Sequence, residues 1–446
     1  MIAPDILDYY RSWLAYRRWF LRVPGVQACV LGPDGPQLSV AIGLADELEG
    51  AALTEHHLFR VASHSKTFTA VAILQLVARG QLRLDDTVAE RLPELAGSPV
   101  ARASLRELLS HGGGVIRDSE DGDFWQLAKP YPDEDELVAI AQAASAAPIA
   151  RNERFKYSNI AYGLLGLVIE RSTGQRFTDA IRQSIVEPLG LTRTGAEPEE
   201  SQRAELAAGH SALSYARTRS VIEHVDTRAL AAATGFYSTA SELAAFYAAL
   251  LPGVPALLDD ESQRLLRHRV WEVREGQSSY GLGVFLNKLG NHLLFGHSGG
   301  YPGHITRTFA DPERRVVVSV LTNAIDGPAE PLADTFFRLL DAAAAAEHAP
   351  AGDATRFTGR FSSLWGVADV ARLGGRLFLL NPTVVNPVDD PTALEVVDER
   401  TLKMVSGPGG GSVGEYMRYE FGPDGQIVSV RATSGMTMRP FQLPSF

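Results

Sequence analysis

Three short stretches carry residue types that can do chemistry together. The first is Val61-Ala62-Ser63-His64-Ser65-Lys66, which contains Ser-x-x-Lys. On a helix that begins here, residues three apart face the same way, so the Ser63 hydroxyl and the Lys66 amine lie side by side. A serine hydroxyl is a weak nucleophile near neutral pH and needs a neighbouring base. The second stretch is Tyr157-Ser158-Asn159. A phenol whose pKa is lowered by a nearby ammonium can take the Ser63 proton and return it to a leaving group. The asparagine amide can orient a substrate amide or hold Lys66. The third is Phe295-Gly296-His297-Ser298-Gly299-Gly300-Tyr301, at the edge of a predicted strand. Glycines there let a strand edge approach a ligand. A backbone N–H after the glycine pair can join that of Ser63 as an oxyanion hole, and His297 can donate a hydrogen bond to substrate or leaving group.

Each stretch alone also has a plain structural reading: a capped helix with a surface lysine, a tyrosine at a helix start, a glycine-rich hairpin. Their combination favours chemistry, and so does composition. Only five of the 42 basic residues are lysines, so a lysine beside a serine is informative in this arginine-rich chain.

The elements that must position these residues can be read from periodicity. Residues 26–31 and 37–43 are β-rich runs around Pro33-Asp34-Gly35, which predicts a hairpin. From Ser63, apolar residues recur at helical spacing through Phe68, Val71, Leu74 and Ala78, and Gly80 ends the helix. Ser104 with Glu107 makes a capping box before the glycines 112–114. Residues 115–133 read as a long loop able to cover a pocket. A capped helix is expected from Asp133 to Ala147 and another over 160–171. Tyr280–Leu286, Thr306–Ala310 and Val316–Thr322 read as strands, and 328–346 as a helix. A sheet built from the first hairpin and the strands near residue 320, with a helical region of about 84–275 inserted, is the simplest arrangement. The fold class is therefore α+β. We expect a large α+β domain over 1–347, a linker at 348–355 and a small antiparallel β-barrel over 356–446, where short strands alternate with Gly, Asn-Pro and Pro-Asp-Gly turns.

Bulk properties narrow the class. The 446 residues are 45% hydrophobic and 21% charged, with net charge −11, which fits a globular protein with a substantial core. An acidic chain without a basic tract is a poor binder of nucleic acid or anionic membrane. Cys29 is the only cysteine, so no internal disulfide or Cys-based metal site is possible, and no cofactor is implied. The N-terminal residues have acids where a signal peptide would have lysines or arginines. No apolar run is long enough to span a membrane. A cytoplasmic protein acting on a small molecule or short peptide is the expectation, and a homodimer is one assembly open to it.

Taken together, Ser63-His64-Ser65-Lys66, Tyr157-Ser158-Asn159 and His297-Ser298-Gly299 resemble the motifs of the penicillin-recognising serine hydrolases. This β-lactamase-like family includes class C β-lactamases, DD-peptidases, D-aminopeptidases and related esterases. The resemblance covers residues 15–345 and extends to Leu108-Leu109-Ser110-His111, Thr234-Gly235-Phe236-Tyr237-Ser238 and Leu321-Thr322-Asn323. It implies an antiparallel sheet flanked by helices, with the site between the sheet and a helical subdomain. Ser63 would be the nucleophile, Lys66 its assistant, and Tyr157 the general base and then acid. Asn159 would contact substrate, the N–H groups of Ser63 and Gly300 would form the oxyanion hole, and Asn323 would line the substrate site.

Two departures matter. His297 stands where β-lactamases and DD-peptidases usually have lysine, which resembles D-aminopeptidases, amidases and esterases instead. Gly112-Gly113-Gly114 replaces the usual Thr-Ser-Gly, and His111 reads as structural. D-aminopeptidase-like members also carry β-barrel domains, which close one side of a pocket, mediate dimerisation or act as passive appendages. The expected activity is an amidase or peptidase of the D-aminopeptidase type. Carboxylesterase is the alternative, then β-lactamase or DD-peptidase. An inert binding relative would be expected to lack Ser63, Lys66 or Tyr157, and all three are present.

Overall fold

The computed structural model describes residues 2–346, 354–407, 412–432 and 435–444. Two compact units divide the chain: Val23–Glu330, and the residues up to Arg22 together with those from Pro331 onward.

The larger unit is built on a nine-stranded antiparallel sheet. Its order runs from Ala51–Ala52 through Gly35–Asp46, Gly25–Gly32, Val316–Thr322, His304–Asp311, His292–Tyr301, Phe285–Leu289 and Ser278–Tyr280 to Trp271–Arg274. The expected hairpin therefore pairs directly with the strand at 316–322, with Val26 opposite Thr322 and Val30 opposite Val318. All seven residues of Val316–Thr322 are buried, as befits a central strand covered on both faces.

Between the hairpin and the later strands lies the helical region. Its central helix, Ser65–Ala78, is buried from Ser65 to Leu76. A helix apolar on every side belongs inside a core, and this one packs against Asn159–Thr173, Asp260–Leu266 and the π-helical turn Ala231–Gly235. Gly80, at φ +72°, follows the C-cap. Ser104 closes the expected capping box with Glu107, and Asp133, expected to cap its helix, does so in a capping box with Glu136.

Several expectations are corrected. The helix after Asp133 stops at Gln142 rather than Ala147, and a short 3-10 turn follows at Ala144–Ala146. The run Tyr280–Leu286 is two strands, because the chain turns at Gly281–Val284, where the Gly281 N–H donates to the Val284 carbonyl at 2.9 Å. Gly283 has φ +80°, and a Cβ there would lie 2.5 Å from Ala70 Cβ on the buried helix. The third motif lies within the ten-residue strand His292–Tyr301 rather than at a strand edge. Its glycines and serine weakened the strand signal.

In the smaller unit eight strands, from Gly359–Ser363 to Thr437–Pro440, close into a barrel, with Phe361 opposite Pro440. Phe357, Phe361, Leu402, Met417 and Val430 are among its core residues. The first helix, Pro4–Phe20, and the helix Ala329–Ala344 belong largely with this barrel rather than with the nine-stranded sheet. Tyr10 Oη donates to the Leu332 carbonyl at 2.8 Å. The Arg360 guanidinium lies 4.4 Å from the Tyr16 ring centroid and bonds both Asp369 oxygens, at 2.7 and 2.8 Å. The expected linker lies mostly outside the described residues, as does most of the loop Gly407–Gly411.

One contact sets where the first motif lies. The strand Phe59–Ala62 runs beside the third-motif strand so closely that a Cβ on Gly299 would come within 2.1 Å of the Val61 carbonyl oxygen. At Gly300 the nearest atom would be Ile305 Cδ1 at 3.6 Å. Gly299→Ala should therefore destabilise the protein by about 1–3 kcal/mol, the range for overpacking, while Gly300→Ala should leave its stability within about 0.5 kcal/mol. Denaturant unfolding of the pair measures the contrast, and equal stabilities would contradict it.

Candidate active site

Ser63 follows directly from the strand Phe59–Ala62. Ala62 takes φ +48°, a conformation uncommon for a residue with a Cβ, and the chain turns sharply there. The Lys66 N–H donates to the Ser63 carbonyl at 3.1 Å, and the helix starts at Ser65. Ser63 is thus held in the turn just ahead of the helix rather than in its first turn. Strain of this kind marks positions that the surrounding structure over-determines.

Lys66 is fully buried. Its Nζ lies 2.7 Å from Asn159 Oδ1, 2.7 Å from the Ala233 carbonyl oxygen and 3.1 Å from Ser63 Oγ. Ala233 belongs to the π-helical turn Ala231–Gly235, a backbone irregularity often found at functional sites. Burial pushes the Lys66 ammonium well below the usual lysine range, opposed by the negative charge of Asp118 and reinforced by Arg117. A neutral amine has two N–H bonds and one lone pair. With its N–H bonds directed at the two carbonyl oxygens, a free-base Lys66 would turn its lone pair toward Ser63 Oγ.

On the other side of Ser63, Tyr157 Oη donates to Ser63 Oγ at 2.9 Å. The expectation that an ammonium lowers this phenol is corrected here. Burial raises the Tyr157 pKa, only partly offset by its hydrogen bond to Ser63 and by Arg117. Tyr157 is therefore a phenol in the resting site. Ser63 Oγ thus lies between Tyr157 Oη, which donates to it, and Lys66 Nζ.

Asn159 opens the helix Asn159–Thr173, which Ser158 caps by accepting from the Ala161 N–H. His111 supports this corner. It has φ +61°, its Nδ1 accepts from the Ser158 N–H at 3.1 Å, and its ring lies 4.3 Å from the Tyr157 ring. Burial lowers its pKa well below the usual histidine value. His111 is thus a neutral wall behind Tyr157, in keeping with a structural role.

His297 is arranged differently from the sequence expectation. It is 1% exposed. Nδ1 lies 2.6 Å from the Ser298 carbonyl oxygen and Nε2 lies 3.2 Å from Tyr280 Oη. A carbonyl can only accept, so Nδ1 carries the proton and Nε2 accepts from Tyr280. Burial pushes its pKa down to about 3. His297 is a neutral ring with its one N–H already used, and it has no hydrogen bond left to donate to a substrate. Gly299 serves close strand packing, and Gly300 is exposed beside it.

Asn323 is not brought into this cluster. It is fully buried, and its amide donates to the carbonyls of Leu44, Ala45 and Ala208 at 3.2, 3.1 and 3.1 Å. Its place at a strand end was legible in the sequence, but the direction of its side chain was not.

Sequence reasoning also missed Asp118. Its Oδ1 accepts from Asn159 Nδ2 at 2.6 Å and from Trp125 Nε1 at 2.8 Å, and its Oδ2 lies 3.3 Å from Arg117 Nε. Arg117 in turn lies 5.1 Å from the Tyr157 ring. No spacing rule points to an acid in an irregular loop. Glu197, His224 and Asp226 form a group of possible metal ligands. Arg60 already pairs with Glu197 and Arg203 with Asp226, which balances the charge of the group without a cation.

A family model described as Beta-lactamase matches residues 17–343. The chain belongs to the Beta-lactamase family. Within it, the chain is 33% identical to Penicillin-binding protein 4 of Amycolatopsis lactamdurans, over 42% of this chain and 49% of that one. It is 34% identical to Esterase EstB of Burkholderia gladioli, over 36% of this chain and 44% of that one. The matches thus span about half the length of these two relatives. A solved structure of a D-stereospecific amidohydrolase from Streptomyces sp. superposes with a TM-score of 0.61 at 26% identity, over 71% of this chain and 94% of that one. Among the described residues no helix is long and apolar enough to cross a membrane.

Because the buried Asn323 amide donates to three backbone carbonyls, Asn323→Ala should destabilise the protein by about 1–3 kcal/mol while leaving turnover by the folded fraction intact. A loss of turnover without loss of stability would return Asn323 to the site.

Proposed function

We propose that this protein is a serine hydrolase that cleaves an amide or ester through an acyl-enzyme on Ser63, most readily the amide of a D-aminopeptidase- or amidase-type substrate. The observation that carries this reading is the convergence of Tyr157 Oη and the buried Lys66 Nζ on Ser63 Oγ, at 2.9 and 3.1 Å, with Lys66 held by Asn159 and Ala233.

The chemistry follows the positions of the protons. Ser63 Oγ attacks the substrate carbonyl carbon and its proton passes to the Lys66 lone pair. The N–H groups of Ser63 and Gly300 receive the negative charge that develops on the carbonyl oxygen. As the bond to the leaving group breaks, the Tyr157 phenol protonates the departing nitrogen or oxygen, and the proton on Lys66 restores the phenol across the site. A water molecule then attacks the ester on Ser63, gives up its proton along the same path and releases the acid. Asn159 keeps Lys66 in place throughout.

His297 bears on the choice of substrate. A fixed cation at this motif would pair with a substrate carboxylate, and a buried neutral imidazole supplies none. This argues against carboxylate-dependent β-lactams and DD-peptides. The likeness to the Streptomyces amidohydrolase supports an amide, and the likeness to EstB supports a carboxylic ester as the second reading. A small-molecule or short-peptide substrate handled without a cofactor fits either.

The test is kcat/KM across D- and L-amino acid p-nitroanilides, p-nitrophenyl esters and nitrocefin. D-configured amides should lead, and Ser63→Ala should abolish all turnover. Nitrocefin leading the series would overturn the reading of His297. Lys66→Ala should lower kcat by about 10²–10⁴-fold, the usual worth of a positioned base. The neutral amine is the active form and its folded pKa is depressed, so kcat/KM should fall as pH drops through a value below the ordinary lysine range. An acid limb at the ordinary lysine pKa would contradict a buried neutral base.

A further inference from the structure

The Lys66 amine depends on the Asn159 amide facing the right way, and nothing in the Asn159 side chain itself decides this. Turned over, its NH2 group would face the N–H bonds of Lys66, donor against donor. An ionised carboxylate is acceptor-only, and Asp118 Oδ1 sits 2.6 Å from Asn159 Nδ2. It therefore forces the NH2 group outward and leaves Oδ1 for Lys66 at 2.7 Å. The same oxygen accepts from Trp125 Nε1 at 2.8 Å. Trp125 lies in the short helix Asp123–Gln126, within the loop expected to cover the pocket. The Arg117 carbonyl accepts from the Asn159 N–H at 2.7 Å, which ties the backbone of this loop to the start of the Asn159 helix.

We propose that Asp118 is a positioning residue for Lys66, acting through the Asn159 amide, and that Trp125 couples the order of the 115–133 loop to the same carboxylate. The inference rests on the serine-hydrolase reading above. Asp118 touches neither Ser63 nor a substrate carbonyl in this role. Its effect reaches Ser63 through Asn159 and then Lys66. It is also a negative charge near an amine that must be neutral to work. The titratable and charged groups that face Lys66 are Tyr157 and Tyr162, whose rings lie 4.7 and 5.6 Å from Nζ, together with His111, His297, Asp118 and Arg117. Among these Asp118 is the one that favours the protonated amine, and Arg117 opposes it.

Two substitutions separate orientation from charge. In Asp118→Asn the amide oxygen can still accept from Asn159 and Trp125, while the charge is gone. In Asp118→Ala both are lost. The readout is the second-order rate at which a fluorophosphonate labels Ser63 as a function of pH, which needs no knowledge of the natural substrate. Asp118→Asn should label within about threefold of wild type on the plateau, with its acid limb moved to lower pH. Asp118→Ala should show the same displaced limb and a plateau lower by about tenfold or more, within the range for a displaced catalytic group. Trp125→Phe should keep the wild-type limb and lower the plateau less than Asp118→Ala does. Thermal unfolding confirms that each variant is folded, and a side chain that merely held the loop would not move the limb. Folded Asp118 variants with the wild-type limb and plateau would overturn the inference while leaving Ser63 as the nucleophile. A wild-type protein that is not labelled at Ser63 would instead remove the reading on which the inference rests.

Discussion

A lysine amine with no access to water must be neutral or paired, and among the described residues no carboxylate forms an ion pair with Lys66. Lys66 instead meets two carbonyl oxygens and one hydroxyl. Removing an ammonium from water is costly unless a counter-charge replaces the solvent, so burial favours the free base. That preference bears on the proposed role of Lys66 as the base for Ser63. It also explains why the neighbours are what they are. An ammonium would welcome an ionised partner beside it, whereas the free base needs acceptors for two N–H bonds and a donor for its lone pair. Asn159 Oδ1 and the Ala233 carbonyl accept from the amine, and the Ser63 hydroxyl, which can donate or accept, lies 3.1 Å from it.

The rest of the larger unit holds this arrangement still. The sheet places Gly299 against the Val61 carbonyl, so the strand that delivers Ser63 cannot shift without moving its neighbour. The positive φ of Ala62 turns the chain into the buried helix. A π-helical turn drops the Ala233 carbonyl onto the amine. His111, His297 and Tyr280 form a neutral aromatic lining around Tyr157 and Lys66. A neutral lining keeps the local dielectric low, and that in turn keeps the amine uncharged.

Much of this was legible in the sequence because the signals were local. Ser-x-x-Lys, Tyr-x-Asn, the capping boxes at Ser104 and Asp133 and the Pro-Asp-Gly hairpin each depend on residues a few places apart. What sequence left open depends on direction and distance in space. The spacing of His297 placed it at the site, but whether its ring faces substrate or Tyr280 is fixed by packing from another strand. Asn323 is near a strand end, yet its amide turns toward Leu44, Ala45 and Ala208. Asp118 stands in an irregular loop, where no periodicity marks it. The direction of the Tyr157 pKa shift could not be read without burial, because a nearby amine lowers a phenol while desolvation raises it, and only the structure shows which prevails.

The central claim is that Lys66 is the free base in the folded protein, and it is open to direct measurement. The chain has only five lysines, at 66, 129, 156, 288 and 403, so isotope labelling of lysine side chains gives few signals. Following the Cε shifts by NMR as a function of pH, with Lys66→Ala to assign its resonance, reads the ionisation without reference to any substrate. The resonance lost in Lys66→Ala should titrate well below the usual lysine pKa of 10.5. A Lys66 signal that titrates at that ordinary value would contradict it, because the amine would then be a buried ammonium and could not accept the Ser63 proton.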